Sequence, residues 1–109
     1  IISSAYKLFL KMIEERYSPE EWNIYPFQFS DGDNWSGNDT EECMNILEKQ
    51  IFPISNMFCY GQVESEYGSG QFLKDLEVRF KEHEKLITSR IPDRNAIIDS
   101  IRTFLGKGK

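Results

Sequence analysis

An all-α fold, an antiparallel bundle of four main helices with one long aromatic and acidic loop, is what this sequence predicts, on three observations. Apolar residues recur at three- and four-residue spacings over four stretches. Helix-starting and helix-stopping residues bracket those stretches, and the connections between them are short apart from residues 26–38. A length of 109 residues suits one core, so residues 1–109 are read as a single helical domain.

The first helix is expected over residues 3–17, where Tyr6, Phe9, Leu10, Ile13 and Tyr17 share one face. Ser18-Pro19-Glu20-Glu21 then supplies an N-cap, a proline at the first helical position and a glutamate at the third. This predicts a short helix or helical turn, which Pro26 interrupts by pushing Tyr25 out of the helical region. Phe27-Gln28-Phe29 reads as a short extended piece, and residues 30–38 are a surface loop of turn formers. Asp39-Thr40-Glu41-Glu42 opens a second helix that presents Cys43, Ile46, Leu47 and Ile51 before Pro53 stops it. Residues 54–60 fit a short buried helix or a strand, with helix preferred. Beyond the loop Tyr67-Gly68-Ser69-Gly70, the stripe Phe72, Leu73, Leu76, Phe80, His83 and Ile87 predicts a long helix reaching about Arg90. Ile91-Pro92-Asp93 breaks it, and Ile97, Ile98, Ile101, Phe104 and Leu105 mark a last helix closed by Gly106. The alternative is an α+β domain with a small hairpin formed by residues 24–29 and 57–63, both rich in aromatic and β-branched residues.

Thirteen basic residues against eighteen acidic give a net charge of −5, which repels a phosphate backbone and disfavours direct nucleic-acid binding. No apolar run approaches the roughly 20 residues of a bilayer span, so no membrane insertion is expected. Cys43 and Cys59 are too few for the disulfide framework of a secreted domain; they read as reduced, half-buried thiols in a cytoplasmic protein.

The charge is segregated. Residues 14–48 carry ten acidic side chains against the single Arg16, whereas residues 90–109 carry five basic against two acidic. Trp22, Tyr25, Phe27, Phe29 and Trp35 crowd the acidic stretch, and a domain of this size cannot expose all five rings. Two readings stand side by side: a docking surface in which carboxylates speed encounter and one or two rings anchor a basic protein, or a solvated acidic loop over an aromatic core.

Catalytic and metal-binding patterns are incomplete. Asp31-Gly32-Asp33-Asn34 offers oxygens, but its glycine falls too early for a helix-flanked calcium loop and no glutamate follows at the required distance. His83 has no second histidine at zinc spacing, Gly68-Ser69-Gly70 lacks the third glycine or the lysine of a phosphate loop, and Cys43 or Cys59 with His83 is the sole thiol-imidazole pairing. Adjacent carboxylates such as Glu41/Glu42 diverge by about 100° on a helix and serve capping better than acid-base work. The chain is read as a non-enzyme without cofactor or metal.

Ile24-Tyr25-Pro26, followed by Ser30-Asp31-Gly32-Asp33-Asn34 and the helix from Thr40, resembles the aromatic-proline, Ser/Asp-rich turn and helix of the immunity proteins that bacteria make against nuclease toxins, as in the colicin and contact-dependent inhibition systems. The resemblance covers about fifteen residues. It implies an inhibitor whose acidic face meets a basic toxin nuclease domain, with Asp31, Asp33, Asp39, Glu41 and Glu42 supplying charge and Tyr25 and Trp35 as anchors. The second reading is a helical adaptor, or a subunit of a larger assembly without catalytic activity.

Overall fold

Helix α1 (Ile2–Arg16) forms where the apolar stripe predicts it, and it buries Tyr6 and Ile13. Ser18 then accepts hydrogen bonds on its carbonyl from the amides of Glu21 and Trp22, both at 2.9 Å, making a single turn instead of a further helix. Strand β1 (Phe27–Ser30) follows, then α2 (Gly37–Ile46), which runs on through a π-helical turn (Leu47–Ile51) into a 3-10 turn (Phe52–Ile54) containing Pro53. Strand β2 (Phe58–Val63), helix α3 (Gln71–Arg79), strand β3 (Leu86–Ile91) and helix α4 (Ile97–Lys107) complete the order. The computed structural model describes residues 2–32, 34, 37–64, 70–92 and 96–107.

The expected all-α bundle is thus corrected to an α+β architecture with a three-stranded parallel sheet in the order β1-β2-β3. The two stretches weighed for a hairpin do pair, Phe27 opposite Cys59 through Ser30 opposite Gln62, but in parallel, with α2 in the crossover. The long helix expected from residue 71 to about 90 stops at Arg79. Glu82 adopts a left-handed backbone (φ 58°), which no helix can continue through, and the amides of His83 and Leu86 bond back to Phe80 and His83 to close the turn. Leu86-Ile87-Thr88 then enters β3, opposite Phe58-Cys59-Tyr60. The spacing of His83 and Ile87 had continued the helical stripe by coincidence. α4 passes through Gly106 instead of ending there.

Alternation along β2 divides the core into two sides. Phe58 and Tyr60 belong to a cluster with Tyr6 of α1, Met44 and Leu47 of α2 and its π-turn, and Phe72, Leu73 and Leu76 of α3. Cys59 and Gly61 point to the opposite face, which α4 covers; there Phe104 is buried and its ring lies 5.9 Å from that of Phe27. Gly61 is needed for close packing. A Cβ at this position would lie 2.6 Å from Ile91 Cδ1 and 2.6 Å from Phe29 Cδ1. Gly61→Ala is expected to cost about 1–3 kcal/mol, read as a lowered urea midpoint, because ring and side chain on both flanking strands must shift together.

Both cysteines are free and buried more deeply than half-buried thiols would be. Burial pushes the Cys43 thiol up to about 12, with the Asp39 carboxylate adding to the rise, and burial alone pushes Cys59 up to about 11. Native protein is expected to react with a thiol reagent at neither site until denaturant exposes both, which a labelling time course at pH 7 checks. No helix among the described residues is long and apolar enough to cross a membrane.

Candidate functional site

Parallel strands gather their outgoing loops at one end of the sheet, and in open parallel sheets this carboxyl end is where ligands bind. Here the start of the loop after β1 is locked against the end of β2 and the start of α3. Gln62, 2% exposed, donates from Nε2 to the carbonyl of Asp31 at 2.6 Å, while its Oε1 accepts from the Tyr60 hydroxyl at 3.0 Å. The Phe72 amide donates to the carbonyl of Gly32 at 3.1 Å, and the Gly32 amide to Ser30 Oγ at 3.0 Å. Gly32 and Gly70 both have positive φ (87° and 68°), and a Cβ on Gly32 would come within 2.7 Å of Gly70 Cα. Two glycines at one crossing let the backbones touch.

A second tie holds this crest from beneath. The Asp39 carboxylate, 8% exposed, accepts from the Ser3 amide at 3.2 Å, from the Ser3 hydroxyl, from Asn34 Nδ2 at 2.9 Å and from the Cys43 thiol at 3.6 Å. Burial alone would raise its pKa, but the hydrogen bonds from Ser3, Asn34 and Cys43 outweigh that and hold it below the usual carboxylate value. α1, the crest loop and α2 therefore meet at one charged oxygen pair.

Beside the crest, a groove of about 480 Å³ opens between α2 and α3, lined by Asn34, Gly37, Thr40, Glu41, Asp75 and Arg79 among others. Arg79 spans it, bonding Glu41 at 2.9 Å and lying 3.7 Å from Glu48. Glu42 pairs with Lys7 at 2.7 Å.

The residues expected to form one acidic, aromatic face are not gathered into one. Asp31 is exposed on the crest, Asp39 points inward, and Glu41 and Glu42 carry ion-pair partners on α3 and α1. Tyr25, 38% exposed, precedes β1 and so stands at the opposite end of the sheet, roughly 20 Å from Asp31 along an extended chain. Asp33 and Trp35 lie outside the described residues. His83 also sits at the amino end, its ring 4.7 Å from that of Phe52 and its Nδ1 accepting from the Lys85 amide at 3.1 Å, so it meets neither Cys43 nor the crest. Among the described residues, no group of three or more His, Cys, Asp or Glu is arranged to hold a metal ion. The residues that build the crest and that the sequence did not single out are Gln62 and Ser3; a lone polar residue inside the apolar run 58–63 was the available signal.

Residues 1–108 match the family described as "Protein of unknown function (DUF444)". The chain belongs to this family. Over 63 residues, 58% of its length, it is 48% identical to a UPF0229 protein of Bacillus velezensis, 46% to one of Erwinia tasmaniensis and 44% to one of Yersinia pestis. The matched segment is 15% or 16% of each of those proteins, so the DUF444 chain spans a small part of the relatives it matches. No solved structure matches it. Membership of DUF444 overturns the resemblance to nuclease-toxin immunity proteins, and the toxin-neutralising function drawn from that resemblance falls with it.

Proposed function

We propose that this chain is a non-catalytic binding portion of a larger protein, which offers the crest at the carboxyl ends of β1 and β2, with the adjoining α2-α3 groove, to a protein partner. The observation that carries this reading is the double lock on the crest: the Gln62, Gly32 and Gly70 crossing above and the Asp39 tie below. Backbone already tied down at Asp31, Gly32 and Gly70 loses little entropy on binding, which favours recognition. Among the described residues that face outward there, Asp31, Gly37 and Glu41 are small or acidic, and the groove lies beside them. Two buried, reduced thiols fit the cytoplasm as the compartment.

The test places a photo-crosslinking amino acid at Gly37 on the crest, and in a second variant at Tyr25 at the far end, of the full-length protein in its own cells. A single discrete adduct from Gly37, absent from Tyr25 and lost on Asp31→Lys, is the expected result. Equal adducts from both positions, or an adduct indifferent to Asp31→Lys, would overturn the crest as the docking surface.

A further inference from the structure

The outer side of β1 is unlike a finished sheet edge. β1 is paired with β2 alone, and no strand among the described residues lies beyond it. Cys59 donates to the carbonyl of Pro26 at 2.9 Å, which fixes the alternation: Pro26, Gln28 and Ser30 turn their backbone groups to β2, while Phe27 and Phe29 turn theirs outward. Pro26 lacks its amide on the β2 side and so does nothing to guard the open side. All four residues of β1 are half-exposed, including both phenylalanines, whereas five of the six residues of β2 are buried. Natural edges are commonly guarded by charge; the other outer strand, β3, contains Arg90, and β1 contains no charged residue.

A mostly apolar groove of about 320 Å³ lies along this edge under α1, lined by Ala5, Phe9, Phe27 and Phe29 among others and by the hydrogen-bonded pair Tyr6 and Gln28. α1 overhangs space that the sheet does not fill. Parallel sheets bury both faces of their strands, so a strand entering here would be covered by Ala5 and Phe9 on one side. The curated relatives are several times longer than the segment that matches this chain, which is 15% or 16% of each.

We propose that the outer edge of β1 receives a further, parallel strand supplied by the same polypeptide from outside these 109 residues, a continuous apolar strand whose side chains fill the groove beneath α1. The three-stranded sheet is then the end portion of a wider one. This inference is independent of the crest and its partner, which lie on the strand ends and not on the edge.

Amide hydrogen exchange on the wild-type full-length protein tests it, at two concentrations tenfold apart. The Phe27 and Phe29 amides, which face outward, are expected to exchange on the order of 100-fold or more slowly than an exposed loop amide, at a rate independent of concentration. Exchange of these two at loop rates while Tyr60 stays protected would overturn the proposal, as would protection that rises with concentration, which marks pairing with a second copy. A photo-crosslinker at Ala5 in the same protein identifies the occupant. An intramolecular crosslink to an apolar stretch outside the 109 residues is expected, and a crosslink to β1 of another copy or to a different protein would refute it.

Discussion

Gly32→Ala is expected to destabilise the fold by about 3 kcal/mol or more, the sum of left-handed backbone strain and a steric clash. The φ of 87° suits glycine, and a Cβ would lie 2.5 Å from Gln62 Oε1 and 2.7 Å from the Gly70 Cα. Gln62 cannot swing away freely, because its amide nitrogen holds Asp31 and its oxygen receives Tyr60. Gly70 is backbone and cannot yield without dragging α3. Gly37→Ala is the control: nothing lies within 4 Å of its Cβ, so a change within about 0.5 kcal/mol is expected. Urea denaturation of both variants separates a general intolerance of alanine from the specific crossing. A Gly32→Ala midpoint equal to that of Gly37→Ala would show that Gly32 does not touch Gly70 and Gln62.

Asp39→Ala carries the second large effect, a loss of about 2–4 kcal/mol at pH 7, because the Ser3 amide and hydroxyl and the Asn34 amide group lose their common acceptor. Asp39→Asn keeps the shape and removes the charge, which makes it the probe of pH. The folded pKa of Asp39 lies below its unfolded value of about 4. Between those two values the unfolded chain binds more protons, so stability rises with pH there. The contribution of the carboxylate is therefore complete above pH 4 and is lost as pH falls through the lowered folded value. The gap in urea midpoint between wild type and Asp39→Asn should be widest at neutral pH and shrink in acid. A gap that stays constant from pH 7 to pH 2 would assign the effect to packing instead of charge.

Those two residues also mark how far the sequence could be read. The helical stripes of α1 and α4 and the extended Phe27-Gln28-Phe29 were legible, since each follows from spacing within one element. β2 and β3 were not. A run of six residues such as Phe58–Val63 is compatible with either structure, and what makes it a strand is pairing with β1 and β3, partners about thirty residues away in each direction. Asp39 illustrates the same limit at the site. Beside Thr40-Glu41-Glu42 it had every feature of a local cap for α2, yet its carboxylate serves the start of α1, 36 residues earlier. Gly32 and Gly70 were visible as turn glycines, but that they touch each other follows from the parallel register.

The Asp39 tie also bears on the order in which the molecule is made. Ser3 is made well before residue 39, so its hydroxyl and amide must wait for their anion to be synthesised. A nascent chain cut before residue 39 should hold α1 only as a fluctuating amphipathic segment. Its docking follows only once β1 and α2 have both been made.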